Sequence, residues 1–266
     1  MEIFQYEFMQ HAFLAGILIA LLSGALGYFV ILRNLSFASH ALGHISFAGA
    51  TGALLLGLSP LTGQLLLTLL CALLMGLFEG RLRKNDPIIG IILAFALGLG
   101  SLFLSLHQAY TGQANSILFG NLLGVSTHAL LVMLILTSVT FLFLALLSRP
   151  LLFSSLEPEL AQARGLPLIF ISVLFLCFLA VGVTLASQAV GVLLIFTLLI
   201  GPASISLQYT HSFWSGIISS ILLTLFIVLV SLFLTYYTQW PLSFWVSFLV
   251  LVFYSFSKIH FLFRRA

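Results

Sequence analysis

A chain of 266 residues with 62% hydrophobic and 6% charged side chains, and a mean hydropathy of +1.25, excludes a soluble domain, where about a quarter of residues are charged. No charged side chain occurs from Pro87 to Ser148 or from Gly165 to Ser257. Each stretch exceeds several times the roughly 20 residues of one membrane crossing, so the chain reads as an all-α, polytopic membrane bundle in a single domain over residues 1–266. The net charge of +3 serves to orient such a protein in the bilayer and does not point to nucleic acid.

The segment Met1-Glu-Ile-Phe-Gln-Tyr-Glu7 lacks the basic start of a cleaved signal peptide, so the first span is expected to stay in the mature protein. Apolar stretches between polar punctuation predict nine helices, at 11–32, 38–57, 61–80, 87–107, 129–148, 166–186, 189–207, 213–234 and 243–261. Merging the sixth and seventh would leave eight. The first carries Ala12, Gly16, Ala20 and Gly24, and the fourth Gly90, Ala94 and Gly98, a spacing that lets helices approach closely. Asp86-Pro87 supplies an N-cap and a first-turn proline for the fourth helix. Cys71 and Cys177 sit in apolar runs as small hydrophobes. The uncharged link from Gln108 to His128 is expected to dip into the membrane or lie along it.

Assigning the connections alternately to two sides puts all nine basic residues together: Arg33, then Arg81, Arg83 and Lys84, then Arg149 and Arg164, then Lys258, Arg264 and Arg265. That side is the cytoplasm by the positive-inside rule. The N-terminus is then outside and the C-terminus inside.

Three constellations carry chemistry. His40 and His44, flanked by Ser39 and Ser46, lie four residues apart, which on a helix places two imidazoles on one face about 6 Å apart. Two neutral imidazoles form half of a borderline-metal site, and ionisable groups within a membrane mark function. The bland alternative is a pair of interfacial histidines bonded to backbone or water. Gln188, His107 and His128 are polar residues of the outer side, candidates for a vestibule. The second constellation is residues 154–165, where Ser154 and Glu157 match a capping box, Glu157 and Glu159 suit a helix start, Arg164 suits its end, and Gly165 and Pro167 stop it. This predicts a short cytoplasmic helix, read either as a docking element or as a plain connector. In the third, Gly201-Pro202 interrupts an apolar span that begins near Gln188. It is expected to kink the helix and free a carbonyl near Leu198. No Gly-x4-Gly-Lys-Ser/Thr loop and no His-Glu-x-x-His occurs, so the chain has neither the phosphate-loop ATPase motif nor the zinc-protease motif.

Taken together, these segments resemble the permease subunit of the zinc/manganese family of ABC importers. His40-Ala-Leu-Gly-His44-Ile-Ser-Phe-Ala48-Gly49 is similar to that family's Asp-Ala-Leu-x-His-x-x-x-Pro-Gly. Val190 to Ala203, Phe119-Gly120 and the Glu159-Leu-Ala…Gly165-Leu-Pro167 loop match as well, in order, over roughly residues 10–255. The resemblance implies a bacterial inner-membrane permease working as a homodimer, with a separate cytoplasmic ATP-binding subunit and an extracytoplasmic metal-delivering protein. It implies His44 as a metal ligand, and His40 in place of the family's aspartate; Ala48 replaces its proline. Imidazole for carboxylate removes a hard ligand, which favours Zn²⁺ over Mn²⁺. The ion is cargo, and no resident cofactor is expected. From other classes stand a membrane redox subunit with histidine-ligated haem, and a gradient-driven transporter, which usually needs a buried carboxylate or lysine for coupling.

Overall fold

In the computed structural model, which describes residues 6–78, 86–106, 117–120 and 122–265, the backbone satisfies itself as a membrane demands, through helices. The elements are α1 (Glu7–Leu32), α2 (Ser36–Leu55), α3 (Pro60–Leu77), α4 (Asp86–Leu106), a 3-10 turn (Leu122–Gly124), α5 (Thr127–Leu156), α6 (Pro158–Ala163), α7 (Leu168–Val190), α8 (Val192–Tyr209), α9 (Phe213–Thr238) and α10 (Leu242–Arg265). Among the described residues no strand forms. Arg81, Arg83, Lys84 and His107 lie outside the described residues.

Each of the nine expected stretches is helical over most of its described residues, yet among the described residues seven helices are long and apolar enough to cross a bilayer. Helices α2 and α8 are not among the seven. Helix α2 carries two histidines, three serines and a threonine, and α8 contributes a shorter apolar helix, Leu194–Tyr209. The physical reason is their position. A helix surrounded by protein need not be apolar on every side, and most of α2 is buried. The lipid-like surfaces belong instead to helices such as α4 and α10, with Ile91, Phe95, Leu251 and Phe256 all more than 60% exposed.

Local signals bound α2 at both ends. At the end of α1, Asn34 takes a left-handed conformation (φ 57°), with Leu35 N–H donating to Val30 O and Asn34 N–H to Ile31 O, a Schellman turn that sends the chain straight into α2. Ser59 caps α3 and Pro60 opens it. The core runs along α1 and α7, where Phe29 packs on Phe175 and on Phe213 at centroid distances of 6.1 and 5.7 Å.

Two expectations fail around residues 148–157. Helix α5 does not stop at Ser148; it continues through Pro150 to Leu156. The capping box at Ser154 and Glu157 therefore does not form. Glu157 makes no side-chain cap bond, while Ser154 Oγ donates to Leu151 O and accepts from Arg33 Nη1 at 3.2 Å. Leu151 is fully buried, and its packing together with the Arg33 bond outweighs the roughly 3 kcal/mol cost of an interior proline. The separate helix is thus α6, six residues long. Its end is as expected. Gly165 has φ +80°, Leu166 N–H donates to Ala161 O and Gly165 N–H to Gln162 O, a second Schellman turn. In α8 the helix continues across Gly201 and Pro202. The break in this region falls at Gly191.

Candidate metal path

Helix α2 brings His40 and His44 together as their spacing requires. Their ring centroids lie 4.7 Å apart, nearly perpendicular at 83°, and both side chains are half-buried. The face they occupy is turned toward α8. Phe196 stands against His40 with centroids 4.8 Å apart at 69°, and a Cβ added to Gly43 would meet Ile195 Cγ2 at 3.4 Å. The site is therefore a pair of nitrogen donors walled by an aromatic ring, at the junction of two interior helices. Among the described residues, no three His, Cys, Asp or Glu side chains converge to hold an ion.

The neighbouring hydroxyls are committed elsewhere. Ser39 Oγ donates to Ser36 O at 2.8 Å. Ser46 Oγ lies 3.1 Å from Ser187 Oγ, which ties α2 to α7 on the side away from the imidazoles. Thr68 and Thr184 make the equivalent bond between α3 and α7 at 3.0 Å. Gln188 is half-buried three residues before the break. Gly201 and Pro202 are both buried, with Gly201 packed on Val250 of α10. His128 is exposed in the first turn of α5.

Gly191 lies at the break between α7 and α8. Its backbone (φ 95°, ψ 151°) lies in a region open almost only to glycine, and a Cβ there would lie 2.5 Å from both Leu118 O and Phe119 C. The segment bearing Phe119-Gly120 thus packs directly onto the α7–α8 break. Val192, Ile117, Phe47, Ala50 and Leu54 form a small apolar cluster beside it.

Around α6, Glu157, Glu159, Arg164 and Gly165 are all exposed, while Ala161 is fully buried beneath them. The Arg164 guanidinium lies 5.4 Å over the Phe153 ring. A cleft of about 930 Å³ borders α6, lined by Glu159 and Gln162 on one side and by Arg33, Ser154 and Ser172 on another.

Two residues escaped the sequence reading. Arg33, seen there as an orienting charge, is 7% exposed; it donates to Ser154 and, at 2.6 Å, to Ser172, and covers Phe175. It fastens α1 to α5 and α7. Gln64 of α3 is fully buried, with neither carboxamide atom hydrogen-bonded. A lone polar residue in an apolar run carries no spacing signal, so nothing in the sequence singles it out.

Comparison with known proteins bears on the whole chain. The model of the ABC 3 transport family matches residues 5–260. The manganese import system permease protein ScaB of Streptococcus parasanguinis is 31% identical over 233 residues, 87% of this chain and 83% of its own length. The manganese transport system membrane protein MntC of Halalkalibacterium halodurans is 32% identical over 79% of this chain and 72% of its own length. The solved structure of PsaBC from Streptococcus pneumoniae in complex with Fab superposes at a TM-score of 0.84 with 26% identity, covering 96% of this chain and 92% of that one. The chain belongs to the ABC 3 transport family, the permease subunits of zinc and manganese ABC importers, and is a multi-pass protein of the bacterial inner membrane.

Proposed function

We propose that this permease imports a divalent transition-metal ion, Zn²⁺ ahead of Mn²⁺, and holds it in passage on His40 and His44. The observation that carries this reading is the pair of half-buried imidazoles 4.7 Å apart on an interior helix. The names of the relatives point to manganese. The imidazole at position 40, where the family motif has a carboxylate, argues for the softer ion. With no carboxylate completing the pair among the described residues, the ion's charge is weakly compensated, and its remaining positions fall to water or to a second copy of the chain. Weak ligation suits passage, because an ion held too firmly does not leave.

In this reading the permease is a homodimer with nine crossings, N-terminus outside and C-terminus in the cytoplasm. A separate ATP-binding subunit docks on α6 through Glu157, Glu159, Arg164 and Gly165, and an extracytoplasmic binding protein delivers the ion. Gln188 and the Gly201–Pro202 stretch of α8 flank the path. The haem and gradient-driven readings gain no support, since the family match is to ATP-driven permeases. Uptake into vesicles containing the permease and its ATPase tests the metal assignment. Excess Mn²⁺ is expected to inhibit Zn²⁺ uptake less than excess Zn²⁺ inhibits Mn²⁺ uptake; the reverse order overturns it.

A further inference from the structure

The imidazole pair lies on a joint between two tightly locked groups of helices. On one side, α2 and α3 cross backbone to backbone: a Cβ added to Gly49 would sit on the Gly63 carbonyl oxygen, and one added to Gly63 on that of Gly49. Helix α3 is fixed to α7 where Gly76 approaches Val173 Cα, 2.7 Å from an added Cβ, and by Thr68 with Thr184. Helix α2 is fixed to α7 by Ser46 with Ser187. On the other side, Gly27 of α1 abuts the Leu199 carbonyl of α8, and Gly24 approaches Ile221 Cα of α9, 2.6 Å from an added Cβ. Ser220 Oγ donates to Gly24 O at 2.8 Å. Both groups are held by backbone close approach, which leaves little room for sliding.

Between the groups, Arg33 at the end of α1 donates to Ser172 of α7 at 2.6 Å, and the helix faces themselves meet through side chains. Helix α1 meets α7 through side chains, Leu26 at Gly182 and Phe29 on Phe175. Helix α2 meets α8 at ordinary van der Waals distance, 3.4 Å from a Cβ at Gly43 to Ile195 Cγ2. The covalent links between the groups include the turn at Asn34 and the break at Gly191, both with positive φ. Across this side-chain-packed face runs a chain of three edge-to-face rings, His44 to His40 to Phe196. Phe196 is the member that belongs to the opposite group.

We propose that Phe196 is a positioning residue of the imidazole pair: it holds the His40 ring from across the α2–α8 joint, so that opening the joint removes this wall and loosens the pair's grip on the ion. The proposal rests on the import reading above. An edge-to-face pair is worth enough to change affinity about two- to tenfold.

The test compares Phe196→Leu, Phe196→Met and Phe196→Tyr with His40→Ala. Two readouts are used: Zn²⁺ binding to the purified full chain in nanodiscs, and uptake by the complex with its ATPase. Leu and Met are expected to weaken Zn²⁺ binding and raise KM about two- to tenfold, and to shift the visible spectrum of the Co²⁺-loaded protein. Tyr, which keeps the ring, is expected to restore all three. If His40→Ala abolishes binding while Leu and Met keep wild-type affinity, KM and spectrum, the role of Phe196 is refuted and the import reading stands. If His40→Ala itself leaves binding and uptake unchanged, both fall.

Discussion

Gly191 and Gln64 show, at the scale of single residues, where structure adds most to sequence. The φ of 95° at Gly191 and the approach of Leu118 and Phe119 mean that Gly191→Ala combines backbone strain with a clash. It is expected to destabilise the fold by about 1–3 kcal/mol, seen as a fall in Tm of the purified permease. Gln64 should behave in the opposite sense. Its carboxamide is buried without a hydrogen bond, a burden of about 1–3 kcal/mol, so Gln64→Leu is expected to raise Tm. A lower Tm would mean that the carboxamide is satisfied in the folded protein after all. The spacing of His40 and His44 was readable in the chain because a helix has one period, and four residues always return to the same face. The rings on α8 were not, because Phe196 is one of 26 phenylalanines and only tertiary packing distinguishes it.

Among elements, helix existence was legible and helix ends were not. Apolar runs in a membrane have little alternative to the helix, so a helix stands in each of the nine stretches among the described residues. Ends depend on what the last turn touches. Arg149-Pro150 looks like a stop, yet burial of Leu151 and the bond from Arg33 to Ser154 carry α5 two turns further. The short helix after α5 was foreseen in place but not in extent; Glu157 and Glu159 stand at its start and Arg164 at its end as expected, and its Gly165 terminator was legible because a left-handed residue with a Schellman pattern is a local property. This makes a specific expectation for α6. Valine at position 165, forced to φ +80°, costs about 1–2 kcal/mol and should fray a helix of six residues. Gly165→Val is expected to reduce ATP-driven metal uptake in the reconstituted complex while the permease still purifies folded. Full uptake with that variant would remove α6 from the coupling route.

For the whole molecule, the informative fact is an inversion. The helices that least resemble membrane spans, α2 and α8, are interior, and they carry the residues that meet at the site. A bundle can hide polar helices only by surrounding them with apolar ones, and α1 and α7 do so from one side. Composition therefore reported the class of the protein and the density of its spans, while the interior position of α2 became visible only once the helices were packed. Among the described residues, the candidate site is a pair of donors and not a closed cage. An ion in transit needs ligands that a helix movement can take away.

The most direct measurement is ATP-driven Zn²⁺ uptake into vesicles containing the permease and its ATPase, comparing the wild-type chain with the His40→Ala/His44→Ala double variant. Removal of the imidazole pair is expected to lower uptake about tenfold or more, with folding and assembly with the ATPase retained. Undiminished uptake of both Zn²⁺ and Mn²⁺ by the folded double variant would contradict the account.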